Sequence, residues 1–259
     1  MSRVTGLVKK ILLAGKKPRS RLNMLNHSRL TSFRPNVMNN NQQQAELITR
    51  QILEELALAS QAAQPLTIPV GISNRHVHLS REDMDILFGY ASTLTRMKAV
   101  KQPGQYAAAE TVTLRGPKGE LSRVRVLGPL RSTTQVEISV ADGFALGISA
   151  PLRMSGDLQD SPGIELIGPR GRVTKTAGAI VAWRHIHISP QEAARAGLRD
   201  GMEIDVRIDG QRGGILSHVV VRVSTDAVLE MHIDVEEANG FGLRNGDCVQ
   251  RVTPEYQHG

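Results

Sequence analysis

The hexapeptide Arg75-His76-Val77-His78-Leu79-Ser80 returns 109 residues later as Arg184-His185-Ile186-His187-Ile188-Ser189. Each copy alternates polar and apolar side chains, the period of a β-strand with one buried face. Each ends in a serine followed by a helix-start signal: Asp83 after Ser80, and Pro190 with Glu192 after Ser189. A serine in that place caps free backbone N–H groups, and proline suits the first helical position. A chain that repeats a strand and a capped helix in this way is constrained to a duplicated architecture. Gly197-Leu198-Arg199-Asp200-Gly201 and Gly242-Leu243-Arg244-Asn245-Gly246 form a second echo, a helix-to-strand turn used twice.

From residue 66 the alternation continues through short stretches: LTIPVGI, TVTLR, SRVRVLG, QVEISV, IELIG, IVAWRHIHI, EIDVRI, SHVVVRVS and LEMHID. Turn signals separate them, among them Gly116-Pro117-Lys118-Gly119, Gly168-Pro169-Arg170-Gly171 and Asp209-Gly210. The helices between them are short, with starts expected near Ser80, Ala141, Ser189 and Asp234. Many short strands with brief helices favour compact β-barrels over a doubly wound α/β sheet. The expected fold is mainly β with short helices (α+β): two small β-barrels capped by short helices, preceded by a flexible helical N-terminal extension. Residues 66–74 with 183–253 are expected to form one β-barrel domain and residues 75–182 the other.

The first 45 residues have a different character. They hold nine basic side chains and no acid, so the formal net charge of +7 belongs to this extension and the rest is slightly acidic. Val4, Leu7, Val8, Ile11 and Leu12 share one helical face. Residues 1–43 read as a basic flexible extension ending in NNNQQQ, and residues 44–62 as an amphipathic helix with Ala45, Ile48, Ile52, Leu53 and Leu56 on one face. That second helix has two readings, a domain-packing helix or a docking peptide laid into a groove on a partner. Residues 3–12 read either as a transit-like or membrane-surface helix, or as sequence removed by translation from Met24 or Met38.

Several function classes are excluded. Basic charge confined to a tail, with aromatics at 3%, does not make a nucleic-acid platform. No apolar run approaches the roughly 18 residues of a membrane span. The single cysteine, Cys248, permits no internal disulfide and no Cys-ligated zinc ribbon or iron–sulfur cluster. No Walker loop, GxGxxG, Ser–His–Asp motif or HExxH is present.

Four of the eight histidines form the two His-x-His pairs. On a strand, residues i and i+2 face the same way, so two imidazoles converge and can both reach one ion at about 2.0–2.1 Å. A lone pair is more often the polar face of an ordinary strand; duplication in the same strand–cap context favours metal. His232, again at a strand end before a helix cap, is the best candidate to join His185 and His187. For His76 and His78, Glu137 is attractive, because a carboxylate flanked by apolar strand neighbours needs a partner if buried; a solvated strand residue is the competing reading. Arg123, Arg125, Arg131 and Arg153 are either scattered surface charge or, beside a metal, an anion site whose guanidinium forks match phosphate. Lys98 and Lys101 would extend that charge around a longer phosphorylated ligand.

The stretches SNRHVHLS, GPLRSTTQVEIS, APLRMSGD and WRHIHIS, in this order and spacing, resemble the PduL-type phosphate propanoyltransferases of bacterial microcompartments. The resemblance runs from about residue 66 to 253. It implies two β-barrels capped by short helices, two zinc ions per chain, and acyl transfer between coenzyme A (CoA) and phosphate. It assigns one metal to His76, His78 and Glu137 and the other to His185, His187 and His232. Arg131 matches the phosphate-contacting arginine, while Ser73, Lys98, Arg125 and Asn239 match positions near CoA. Residues 44–60 resemble the encapsulation peptide through which members meet shell or core proteins. The implied partners are thus CoA, acyl-CoA, phosphate and those proteins, with no nucleic acid or membrane, for a homo-oligomer inside a microcompartment. The competing functions are a zinc-dependent hydrolase of a phosphorylated or CoA-linked substrate and a non-catalytic microcompartment adaptor.

Overall fold

A computed structural model describes residues 43–53 and 66–252. The chain divides into two compact units, Met1–Thr49 and Arg50–Gly259. In the first, the described residues 43–49 are helical, and this helix, α1, continues to residue 53. Its side chains Leu47, Ile48, Ile52 and Leu53 are exposed. The expected helix at 3–12 and the linker after it lie outside the described residues. No helix among the described residues is long and apolar enough to cross a membrane.

The second unit holds fifteen strands and four short helices among its described residues. Six strands close a barrel in the order β1 (Thr67–Ser73), β14 (Glu230–Asp234), β11 (His185–Ile188), β13 (Gly214–Val223), β12 (Glu203–Ile208) and β15 (Cys248–Arg251). The others form a nine-stranded half-barrel sheet. Its central run is β10 (Ala179–Ala182), β6 (Gln135–Glu137), β2 (His76–His78) and β5 (Glu120–Gly128), followed by β4 (Tyr106–Arg115) and β8 (Ile164–Ile167). The mainly-β architecture with short helices is the one the sequence periodicity implies.

The duplication extends to strand pairing. β6 runs parallel to β10 and antiparallel to β2, which runs parallel to β5. Likewise β14 runs parallel to β1 and antiparallel to β11, which runs parallel to β13. After each of β2, β6, β11 and β14 comes a capped helix: α2 (Arg81–Phe88) behind Ser80, α3 (Val140–Leu146) behind Ser139, α4 (Pro190–Arg195) behind Ser189 and α5 (Val235–Phe241) behind Asp234. The α3 helix begins at Val140, one residue before the expected Ala141, with Ser139 as its cap. The Ser139 side chain accepts from the Asp142 amide while Asp142 reaches back to the Ser139 amide, and this reciprocal box sets the start.

Each half has its own core. Ile68, Ile186, Val206, Val221 and Met231 are buried in the barrel, and Val77, Leu87, Leu114, Val126 and Leu166 in the half-barrel sheet. The two Gly-Pro-x-Gly turns lock hairpins onto helix ends. Lys118 N donates to Leu146 O and Arg170 N to Leu87 O, each at 3.0 Å. A Cβ on Gly168 would lie 2.4 Å from Leu87 O, so only glycine permits that approach. The stretch IVAWRHIHI, one strand by periodicity, is two in the structure. It breaks at Trp183-Arg184, where the chain leaves the half-barrel sheet as β10 and enters the barrel as β11. Trp183 N still donates to Arg153 O at 2.8 Å in the half-barrel sheet, whereas Arg184 O accepts from Val220 N at 3.2 Å in the barrel, so the sheet partner changes between these two residues.

Candidate metal centre

Strand alternation sends Val77 and Ile186 into the two cores, both fully buried, and their histidine neighbours to the opposite face. Register then supplies the third member of each triplet. On β6, Glu137 lies opposite His76; on β14, His232 lies opposite His185. His76 Nε2 is 3.3 Å from Glu137 Oε2, and His78 Nε2 is 4.0 Å from Glu137 Oε1. His185 Nε2 and His187 Nε2 are 3.1 Å apart. Within each triplet the candidate ligand atoms all lie within 4.8 Å of one another. Both triplets line one cleft of about 630 Å³.

Backbone carbonyls fix two of the ring tautomers. His76 Nδ1 bonds Asn74 O at 2.8 Å, and His185 Nδ1 bonds Trp183 O at 2.7 Å. A carbonyl only accepts, so both Nδ1 atoms carry a proton, and in the neutral ring the lone pair is on Nε2. This is the outer support that metal-binding histidines commonly have. Burial lowers the pKa of His185 to about 4, with His232 and Arg222 adding to the shift. Burial likewise lowers His187 to about 3, aided by His185 and His232, and His78 to about 3, aided by His76 and Arg131. These three rings are therefore neutral near pH 7. Burial works against charge on His76 and Glu137 too, yet their attraction raises the His76 pKa and brings Glu137 well below the usual carboxylate range. Three imidazoles on one side, and two imidazoles with an ionised carboxylate on the other, form donor sets that suit zinc with an open position.

The cationic side of the cleft is built around Arg131, which is partly buried and has its pKa lowered by that burial. Its Nη1 donates to Ser155 Oγ at 3.0 Å. Arg125 also lines the cleft, with Nη1 bonded to Ala108 O and Ala109 O. Ser73, Lys98 and Lys101 line it as well. Three expected contributors lie elsewhere. Arg123 is not among the lining residues, Arg153 pairs with Asp157 at 3.6 Å, and Asn239 is exposed on α5 with its carbonyl bonded to Arg212.

The cleft also contains residues that the sequence reading did not single out: Ser155, Arg222, Glu230 and Asn245. Arg222 lies opposite His187 in the β11–β13 register. Asn245, in the repeated turn, accepts from Ile72 N at 2.8 Å, as Asp200 does from Val223 N in the other copy of that turn. Behind the cleft, Gln135 is buried against Glu137. Burial opposes ionisation of Glu230, but His232 and Lys101 keep its pKa below the usual range. Arg75 binds Asp142 as Arg184 binds Glu237, one more repeated feature that braces the strands carrying the histidines.

Comparison with known proteins matches residues 69–244 to the family described as phosphate propanoyltransferase. A phosphate propanoyltransferase from Rhodobacter capsulatus is 61% identical over 208 residues, covering 80% of this chain and 96% of that protein. One from Rhodopseudomonas palustris is 56% identical over 222 residues, covering 82% and 98%. One from Salmonella typhimurium is 52% identical over 186 residues, covering 71% and 88%.

Proposed function

The chain belongs to the phosphate propanoyltransferase family, and from that premise we propose that its cleft exchanges a propanoyl group between CoA and phosphate at a two-metal centre, recycling CoA inside a bacterial microcompartment. The enzyme is a phosphate acyltransferase. The observation that carries the finer reading is the convergence of two complete ligand triplets and Arg131 on one cleft.

His76, His78 and Glu137 would hold one zinc ion, and His185, His187 and His232 the other. Bound there, the ions would supply Lewis-acid stabilisation of charge on the carbonyl oxygen and favour the thiolate of CoA over the thiol. Arg131 offers phosphate a planar fork of donors. Ser155 Oγ accepts from Arg131 and from Gln135 at 2.8 Å, so its own hydroxyl proton is free for a phosphate oxygen. Held in this way, a phosphate oxygen forms a bond to the acyl carbon, the carbon–sulfur bond breaks, and its electron pair leaves on the CoA sulfur. Ser73, Lys98 and Arg125 are the proposed CoA contacts at the cleft. The described cysteine, Cys248, is exposed and not among the lining residues, and the hydrogen-bond partners of Ser155, Arg131 and Gln135, both donate to it, so neither acts as a general base for its hydroxyl. Transfer is therefore direct, without an acyl-enzyme.

Thiol release from propanoyl-CoA, with acetyl-CoA run alongside, tests the reading. Release should require phosphate, and a full rate without phosphate would mean hydrolysis instead. The exposed apolar face of α1 supports a docking role for the N-terminal helix. In the same assay, protein lacking residues 1–60 should keep its rate while losing association with shell proteins; unaltered association would reject the docking role.

A further inference from the structure

Gln135 and Glu230 occupy the same place in the two halves. Each precedes the third member of its triplet by two residues, Gln135 before Glu137 on β6 and Glu230 before His232 on β14. The registers agree: His78 lies opposite Gln135, and His187 lies opposite Glu230. Both side chains are buried, with 2% and 8% of their surface exposed. Each bonds its neighbouring ligand residue. Gln135 Nε2 donates to Glu137 Oε1 at 2.5 Å, and the His232 Nε2 to Glu230 Oε2 distance is 2.9 Å.

The two pairs are complementary in opposite senses. A carboxylate only accepts, so Glu137 needs a donor beside it and meets an amide. An imidazole N–H donates, so His232 needs an acceptor and meets a carboxylate. The third ligand and its support change together between the halves, which random placement of two polar residues would not produce. The surroundings hold both supports in place. Gln135 also donates to Ser155 Oγ and accepts from Gly156 N, both at 2.8 Å. Glu230 has Lys101 Nζ 3.6 Å from its other oxygen and sits where Gly71 leaves room; a Cβ there would lie 2.8 Å from Glu230 Cδ.

We propose that Gln135 and Glu230 are positioning residues that fix Glu137 and His232 within their triplets, Glu230 by accepting a hydrogen bond from His232 Nε2–H. His232 then keeps its bare lone pair on Nδ1, whereas His76 and His185 keep theirs on Nε2. This inference rests on the two-metal reading of the cleft.

Zinc competition titration of the full chain against a chromophoric chelator, together with ¹⁵N NMR of the histidine rings, tests it. Gln135→Met and Glu230→Met should each weaken one of the two zinc sites by about 10–100-fold and leave the other within about threefold. Glu230→Gln keeps an acceptor oxygen and should recover most of the loss. The ring shifts should report His232 protonated at Nε2 in the wild type and a mixture of tautomers in Glu230→Met. Wild-type affinity at both sites in the variants, or equal weakening of both sites in each, would overturn the positioning role. A Glu230→Gln loss as large as that of Glu230→Met would overturn the acceptor argument. If the wild type binds no zinc, the two-metal reading fails, and the His232 tautomer still decides the hydrogen-bond claim separately.

Discussion

Arg131 is the proposed phosphate contact. Its backbone N–H bonds Leu79 O, directly after the first His-x-His strand, and its guanidinium reaches Ser155. It therefore stands next to the first triplet without belonging to it. Arg131→Ala should raise the apparent KM for phosphate by at least tenfold, or abolish turnover, while zinc content stays at the wild-type level; unchanged kinetics would remove Arg131 from the site. At this scale the sequence was most informative about the histidines, because a strand's two-residue period converts HVH and HIHI directly into shared faces. It was less informative about Gln135 and Glu230. The same period puts both on the ligand faces, yet a polar strand residue next to apolar ones has no signature until its partner across the ladder is known. Asn239 illustrates the reverse case: a position assigned by resemblance alone, which the structure leaves exposed on α5 and outside the residues lining the cleft.

Among the elements, β2 and β11 join stability to function most closely. Each is a short strand whose middle residue anchors the core and whose flanking residues face the cleft. Ile186 is fully buried between His185 and His187. Ile186→Ala should cost about 2–5 kcal/mol in urea unfolding, the usual range for emptying a buried isoleucine site. A loss below about 1 kcal/mol would show that β11 is not anchored by this side chain. The strand pattern, the helix caps and both Gly-Pro-x-Gly turns were legible in the chain, since each rests on local chemistry. Two boundaries were not. The break at Trp183-Arg184 depends on which sheet each side of it joins, and continuous alternation carries no mark of that. The cap of α3 at Ser139 was hidden because QVEISV continues the apolar alternation through it.

For the whole molecule, duplication is the organising fact. Two four-strand runs with the same pairing directions carry the two triplets, their capped helices and their bracing ion pairs. The repeat seen in one hexapeptide thus accounts for a cleft built from both halves. Net charge, by contrast, describes the first 45 residues, and the enzyme body uses only a few placed arginines and lysines. In the proposed mechanism each half holds one metal ion at a shared acyl-transfer centre. Elemental analysis of purified, full-length enzyme tests it most directly: two zinc-class ions per chain are expected, with activity lost on chelation and restored on adding metal back. A metal-free protein that retains full activity would contradict it.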